Sequence, residues 1–160
     1  MAGGILGRLI VEKLDDGRFW RLVEPFVYYL TWPEYTESVR VPAGFETDFA
    51  SVPRVAHGIV SPTGKIGKPA VVHDKLYRAP VVIVEGADDP RGRAISRADA
   101  DRIFLVAMGV AGVSWWKRRL AYRAVRLGGR RPWNTYRADE RERLRREKRP
   151  AHGMGGVGSE

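Results

Sequence analysis

Apolar and polar positions change period partway along the chain. Residues Arg18-Phe-Trp-Arg-Leu-Val-Glu-Pro-Phe-Val-Tyr-Tyr-Leu30 are rich in aromatic and β-branched side chains, and Asp15-Asp16-Gly17 before them is a hairpin-turn signal. This predicts a strand paired with the flanking Gly7 to Leu14 segment. Ser38-Val-Arg-Val-Pro42 alternates, and Phe45 to Pro53 reads as a further strand running into a proline-terminated turn. Ala56 to Lys68, with Gly58, Pro62, Gly64 and Gly67, reads as a loop. Helical spacing then takes over. A helix is expected over Ala70 to Arg78 with Pro69 in its first turn and Pro80 beyond its end. A Ser96-x-x-Asp99 capping box opens a second through about Val110, Gly112 breaks it, and a third runs from Ser114 to about Leu127, closed by Gly128-Gly129. Arg137 to Arg149 is charged and helix-compatible, and a glycine-rich tail follows. Strands first and helices second predict an α+β fold: an antiparallel β meander followed by three or four helices. No internal repeat is visible. One domain over residues 1–133 with an extension over 134–160 is expected.

Composition narrows the chemistry. Among 160 residues there is no cysteine, so no disulfide framework, thiolate nucleophile or iron–sulfur site is available, and any metal must be held by oxygen or imidazole. The apolar start is broken by Arg8 and is too short for a signal-peptide core or a bilayer span, which predicts a protein that is not transmembrane and is made in the cytoplasm. The formal charge is +9, and it is segregated: residues 1–116 carry fourteen cations and fourteen anions, residues 117–149 fourteen cations and four anions. The excess therefore belongs to a basic C-terminal arm. On the third helix Trp116, Leu120, Ala124 and Leu127 are expected to form the buried stripe, leaving Arg119, Arg123, Arg126 and Arg130 on a neighbouring face suited to phosphate or carboxylate groups. Anionic lipid, nucleic acid and an acidic protein surface all satisfy such a stripe. No helix-turn-helix or zinc pattern accompanies it.

The chemistry-bearing pattern is His73-Asp74-Lys-Leu-Tyr77 together with Asp101-Arg-Ile-Phe104 and Met108. His73 and Tyr77, four apart, share a helical face. If the two helices pack antiparallel, Asp101 approaches His73 and orients it as a general base. Asp74, about 100° around the helix, is the candidate ligand for a hard cation such as calcium. More ordinary uses stand beside these: Asp99 as the capping-box acid, Asp101 paired with Arg97 one turn away, and Asp48 with Ser51 closing a turn or joining the polar cluster at His73. His57 and His152 are read as solvated. Phe19, Trp20, Phe26, Tyr28 and Tyr29, with Phe104 and Met108, are read as packing residues first.

His-Asp-x-x-Tyr followed by Asp-x-x-Phe-x-x-x-Met resembles the two catalytic helices of the phospholipase A2 superfamily. That resemblance implies a hydrolase with His73 as base, Asp101 as its partner, Asp74 as a calcium ligand and Tyr77 as a hydrogen-bonding support. A longer series runs Gly44-Phe-x-Thr-Asp48-Phe-Ala-Ser51-Val-Pro53, His73-Asp-x-Leu-Tyr77, Arg97-x-x-Ala-Asp101-x-x-Phe104, Tyr122-x-Ala-Val-Arg126-x-Gly128 and Trp133. It is similar to an uncharacterised family of small proteins encoded by tailed bacteriophages, prophages and gene-transfer particles. This implies a virion or assembly component of tail or head–tail type, made in the host cytoplasm, with other virion proteins as partners. The expectations are thus a particle protein docking through its basic arm, a calcium-dependent hydrolase of envelope lipid, or a non-specific nucleic-acid binder.

Overall fold

The computed structural model describes residues 2–49, 64–86 and 90–148. It is an α+β fold, in which antiparallel strands are followed by four helices. The strands are β1 (Ala2–Leu6), β2 (Val11–Lys13), β3 (Trp20–Leu22), β4 (Phe26–Thr31), β5 (Thr36–Val41), β6 (Glu46–Thr47), β7 (Val81–Glu85) and β8 (Arg91–Ala94). The helices are α1 (Gly67–Arg78), α2 (Arg97–Val110), α3 (Trp115–Gly128) and α4 (Arg130–Lys148). One sheet has the order β1-β4-β5-β7-β8 and a smaller one the order β2-β3-β6.

Pro25 explains why the long aromatic segment divides. It cannot donate to a ladder, so β3 ends at Leu22, and β4 begins beyond the proline and joins the other sheet. Alternation then sets the inner face: Phe26, Tyr28 and Leu30 are buried, and the register places Phe26 opposite Val41 and Tyr28 opposite Val39. Three strands enter this sheet without having been expected. β1 pairs with β4 along its length. The β7–β8 hairpin, inserted between α1 and α2, adds to the free edge of β5. Of the expected strand over Phe45 to Pro53, only Glu46–Thr47 is a ladder strand among the described residues; residues 50–53, with Ser51, lie outside them, as do His57 and His152.

α1 is the innermost helix, buried from Pro69 through Asp74 and again at Leu76 and Tyr77. A helix buried nearly all round packs against several elements at once, and α1 touches β5, α2 and α4. It starts at Gly67, slightly ahead of the expected proline-led turn. α2 carries the expected capping box, with the Ser96 side chain accepting from the Asp99 backbone and the Asp99 carboxylate accepting from the Ser96 backbone.

α3 is rotated from the expected setting. Ala121 and Val125 are its buried residues, whereas Trp116, Leu120 and Leu127 are exposed. α4 starts only one residue beyond α3, so residue 133 falls inside it. Its first half packs on α1: Trp133 meets the Tyr77 ring edge-on at 5.2 Å, and Arg137 donates to the Tyr77 and Arg78 carbonyls at 3.0 and 2.6 Å, capping the end of α1. Its second half is exposed and carries ion pairs one turn apart, such as Arg146 with Glu142 at 3.0 Å.

Gly129 joins α3 to α4 at the point where the Tyr77 hydroxyl passes. A Cβ at position 129 would collide with that hydroxyl and with the Val125 carbonyl. Gly129→Ala is expected to cost about 1–3 kcal/mol, as overpacking does, and to lower the melting temperature by about 2–4 °C for each kcal/mol. Thermal unfolding followed by circular dichroism checks this. An unchanged melting temperature would show that the joint is not tightly packed.

Candidate functional site

The site is built where α1, α2 and α3 meet. α1 and α2 pack against each other, which brings Asp101 to His73: Nε2 of His73 lies 2.9 Å from Oδ1 of Asp101. Tyr77, one turn along α1, donates its hydroxyl to the same oxygen at 2.7 Å. The other carboxylate oxygen accepts from Arg126 of α3 at 2.9 Å and from Arg97 at 3.4 Å. Arg97 also donates to the Arg126 carbonyl near the end of α3, at 3.2 Å. The pairing of Asp101 with Arg97 and its meeting with His73 therefore coexist, because the carboxylate has two oxygens to share.

Asp101 is fully buried. Burial opposes its ionisation, but the hydrogen bonds from His73, Tyr77 and Arg126 outweigh that and hold its carboxyl below the ordinary aspartate range. An ionised carboxylate can only accept, so Nε2 of His73 is the donor in this bond, and in the neutral ring Nδ1 is then the acceptor. Nδ1 is buried and has no hydrogen-bond partner among the described residues. The ring is fixed on its faces too, with Tyr77 at 4.2 Å and Phe104 at 4.8 Å between centroids. Burial pushes the Tyr77 phenol upward, and its bond to Asp101 adds to the shift, so Tyr77 stays a protonated donor.

Asp74 faces a different neighbour. Its Oδ2 accepts from the hydroxyl of Thr47, which itself accepts from the Phe49 backbone N–H at 3.1 Å. Thr47 is fully buried, and Phe49 has a positive φ of 51°. A left-handed phenylalanine is uncommon; here the buried ring and the bond to Thr47 hold it. Sequence reasoning singled out Asp48 and Ser51 in this segment and passed over Thr47. The signal for Thr47 was its β position next to a buried helix carboxylate, visible only once β6 and α1 are in contact. Asp48 is half-buried.

Among the described residues no group of three or more His, Asp or Glu side chains could hold a metal ion. Of the four arginines expected on one docking face, Arg119, Arg123 and Arg130 are exposed, whereas Arg126 is turned inward to Asp101. Its guanidinium is held even more firmly protonated by that carboxylate. No helix among the described residues is long and apolar enough to cross a membrane.

Residues 20–125, more than half of the chain, match the model of a family described as protein of unknown function (DUF1353). No curated protein and no solved structure matches the chain.

Asp101→Ala removes the acceptor shared by four donors and is expected to cost about 3–5 kcal/mol, as breaking a buried charge network does. Urea unfolding at neutral pH measures it. The acid side has a definite sign. The folded state keeps this carboxyl ionised to lower pH than the unfolded chain, so the unfolded chain binds more protons in acid. Its contribution is fully present above the unfolded value of about 3.9 and is lost as pH falls through the lower folded value. Asp101→Asn should flatten that part of the stability–pH curve; an unaltered curve would remove Asp101 from the acid transition.

Proposed function

We propose, for a chain that belongs to the DUF1353 family, that it is a hydrolase in which His73 acts as general base on water. The single observation that supports this is the asymmetry of the His73 ring: Nε2 is held by Asp101, and Nδ1 has no hydrogen-bond partner among the described residues. In the reaction Nδ1 takes a proton from water as the water attacks the ester carbonyl carbon, Asp101 stabilises the imidazolium that results, and the imidazolium returns the proton to the alkoxide oxygen as the ester C–O bond breaks. Tyr77 and Arg126 keep the carboxylate in place through both protonation states. An ester is the substrate class, and envelope lipid the source that fits a particle-borne protein. Calcium at Asp74 would polarise the carbonyl; the base step itself is carried by His73 and Asp101.

A second reading is favoured by a different observation, the 1% exposure of His73. Here the network is a clamp among three helices, and the chain is a bacteriophage virion or assembly component. Its exposed basic helices then dock on other particle proteins.

His73→Asn separates the two. The hydrolase reading expects the wild-type chain to cleave carboxylic esters or glycerophospholipids, with the variant slower by about 10²–10⁴-fold and still folded by circular dichroism. Release of fatty acid is followed with and without added calcium. No cleavage of either substrate class by the wild type would end the hydrolase reading, and recovery of the protein in purified particles by mass spectrometry would support the second.

A further inference from the structure

The outward face of α3 interleaves large apolar side chains with arginines, a composition that the basic charge alone does not explain. At 100° per residue, Trp115, Arg119, Arg123, Trp116, Leu127 and Leu120 fall within about 140° of the helix circumference, and all six are exposed, Leu127 to 86% and Trp115 to 69%. The opposite side is Ala121 and Val125, packed inward. Leu127 continues into a groove of about 540 Å³ between the end of α3 and the start of α4, walled by Arg130 and Arg131 as well. Residues 115–138 contain eight lysines and arginines and no carboxylate.

We infer that this face docks on the surface of an anionic lipid bilayer. Tryptophan is favoured at the headgroup level, where one part of the ring meets apolar chains and another meets water. Leucines at the same level bury a few ångströms into the acyl boundary, and the interleaved guanidiniums meet lipid phosphates. Other occupants fit less well. A second copy of this face would set its own cations against one another. Nucleic acid draws on the arginines, but Leu120 and Leu127 add nothing to phosphate contact and cannot stack on bases. Arg126 falls in the same arc, but its guanidinium is already paired with Asp101.

Co-sedimentation of the full chain with phosphatidylcholine vesicles, with and without phosphatidylglycerol, tests the inference. Binding is expected only with the anionic lipid. Arg119→Gln with Arg123→Gln should weaken it about 25-fold, a factor of about five per cation near an anionic surface. Leu120→Ser with Leu127→Ser should weaken it at least about tenfold, and both double variants should melt like the wild type. His73→Asn should bind unchanged, which keeps this result apart from any loss of catalysis. Failure to bind anionic vesicles overturns the inference. So does binding that ignores the leucine pair while a double-stranded DNA fragment binds as tightly, which assigns the face to nucleic acid. Self-association abolished by the leucine pair, without vesicle binding, assigns it to a second copy.

Discussion

A carboxylate taken wholly out of water is tolerated only when its lone pairs are met by donors, and Asp101 imposes that demand on three helices together. α1 answers with His73 and Tyr77, α2 with Arg97 and α3 with Arg126. Apolar contacts among these helices are non-directional and would allow several rotations of each about its axis. The carboxylate, with two oxygens at fixed positions, allows far fewer. Asp101 therefore sets how the helices are turned relative to one another, while Phe104, Met108, Leu76 and Val72 supply apolar core on the same two helices.

That constraint travels outward through Tyr77. Its hydroxyl is tied to Asp101, its ring meets the edge of Trp133, and its backbone carbonyl accepts from Arg137. The start of α4 is thereby referred to the same carboxylate as His73. Asp74 plays a matching part on the other side of α1, where Thr47 ties the helix to the small sheet through β6. Two adjacent polar residues of one buried helix thus connect it to different layers of the fold, because a 100° step separates their side chains.

Much of this was legible in the sequence where local rules decide. The capping box at Ser96 and Asp99, the glycine-marked end of α3 and the four-residue spacing of His73 and Tyr77 are all set within one or two helical turns. The meeting with Asp101 was legible as well, since it needs only that two successive helices pack antiparallel. What was missed depends on contacts distant in sequence. Val81 to Glu85 is a β-branched run, but its role as a strand is fixed by the open edge of β5 some forty residues earlier. β1 has two glycines and a weak strand propensity, and it forms because β4 offers a ladder. Thr47 carried no signal of its own until Asp74 was placed opposite it.

The setting of α3 shows most clearly how the buried site decides the surface. Hydrophobic weight alone selects Trp116, Leu120 and Leu127 as the inward side. Packed helix axes lie about 8–10 Å apart, with the side chains at the contact choosing the value, and large residues there would push α3 outward. Ala121 and Val125 instead allow a close approach to α2. Only from close range can the Arg126 guanidinium reach Oδ2 of Asp101 and Arg97 reach the carbonyls at the end of α3. The need to neutralise one buried carboxylate thus places small residues inside, and the large apolar residues of the same helix are left among the arginines in solvent.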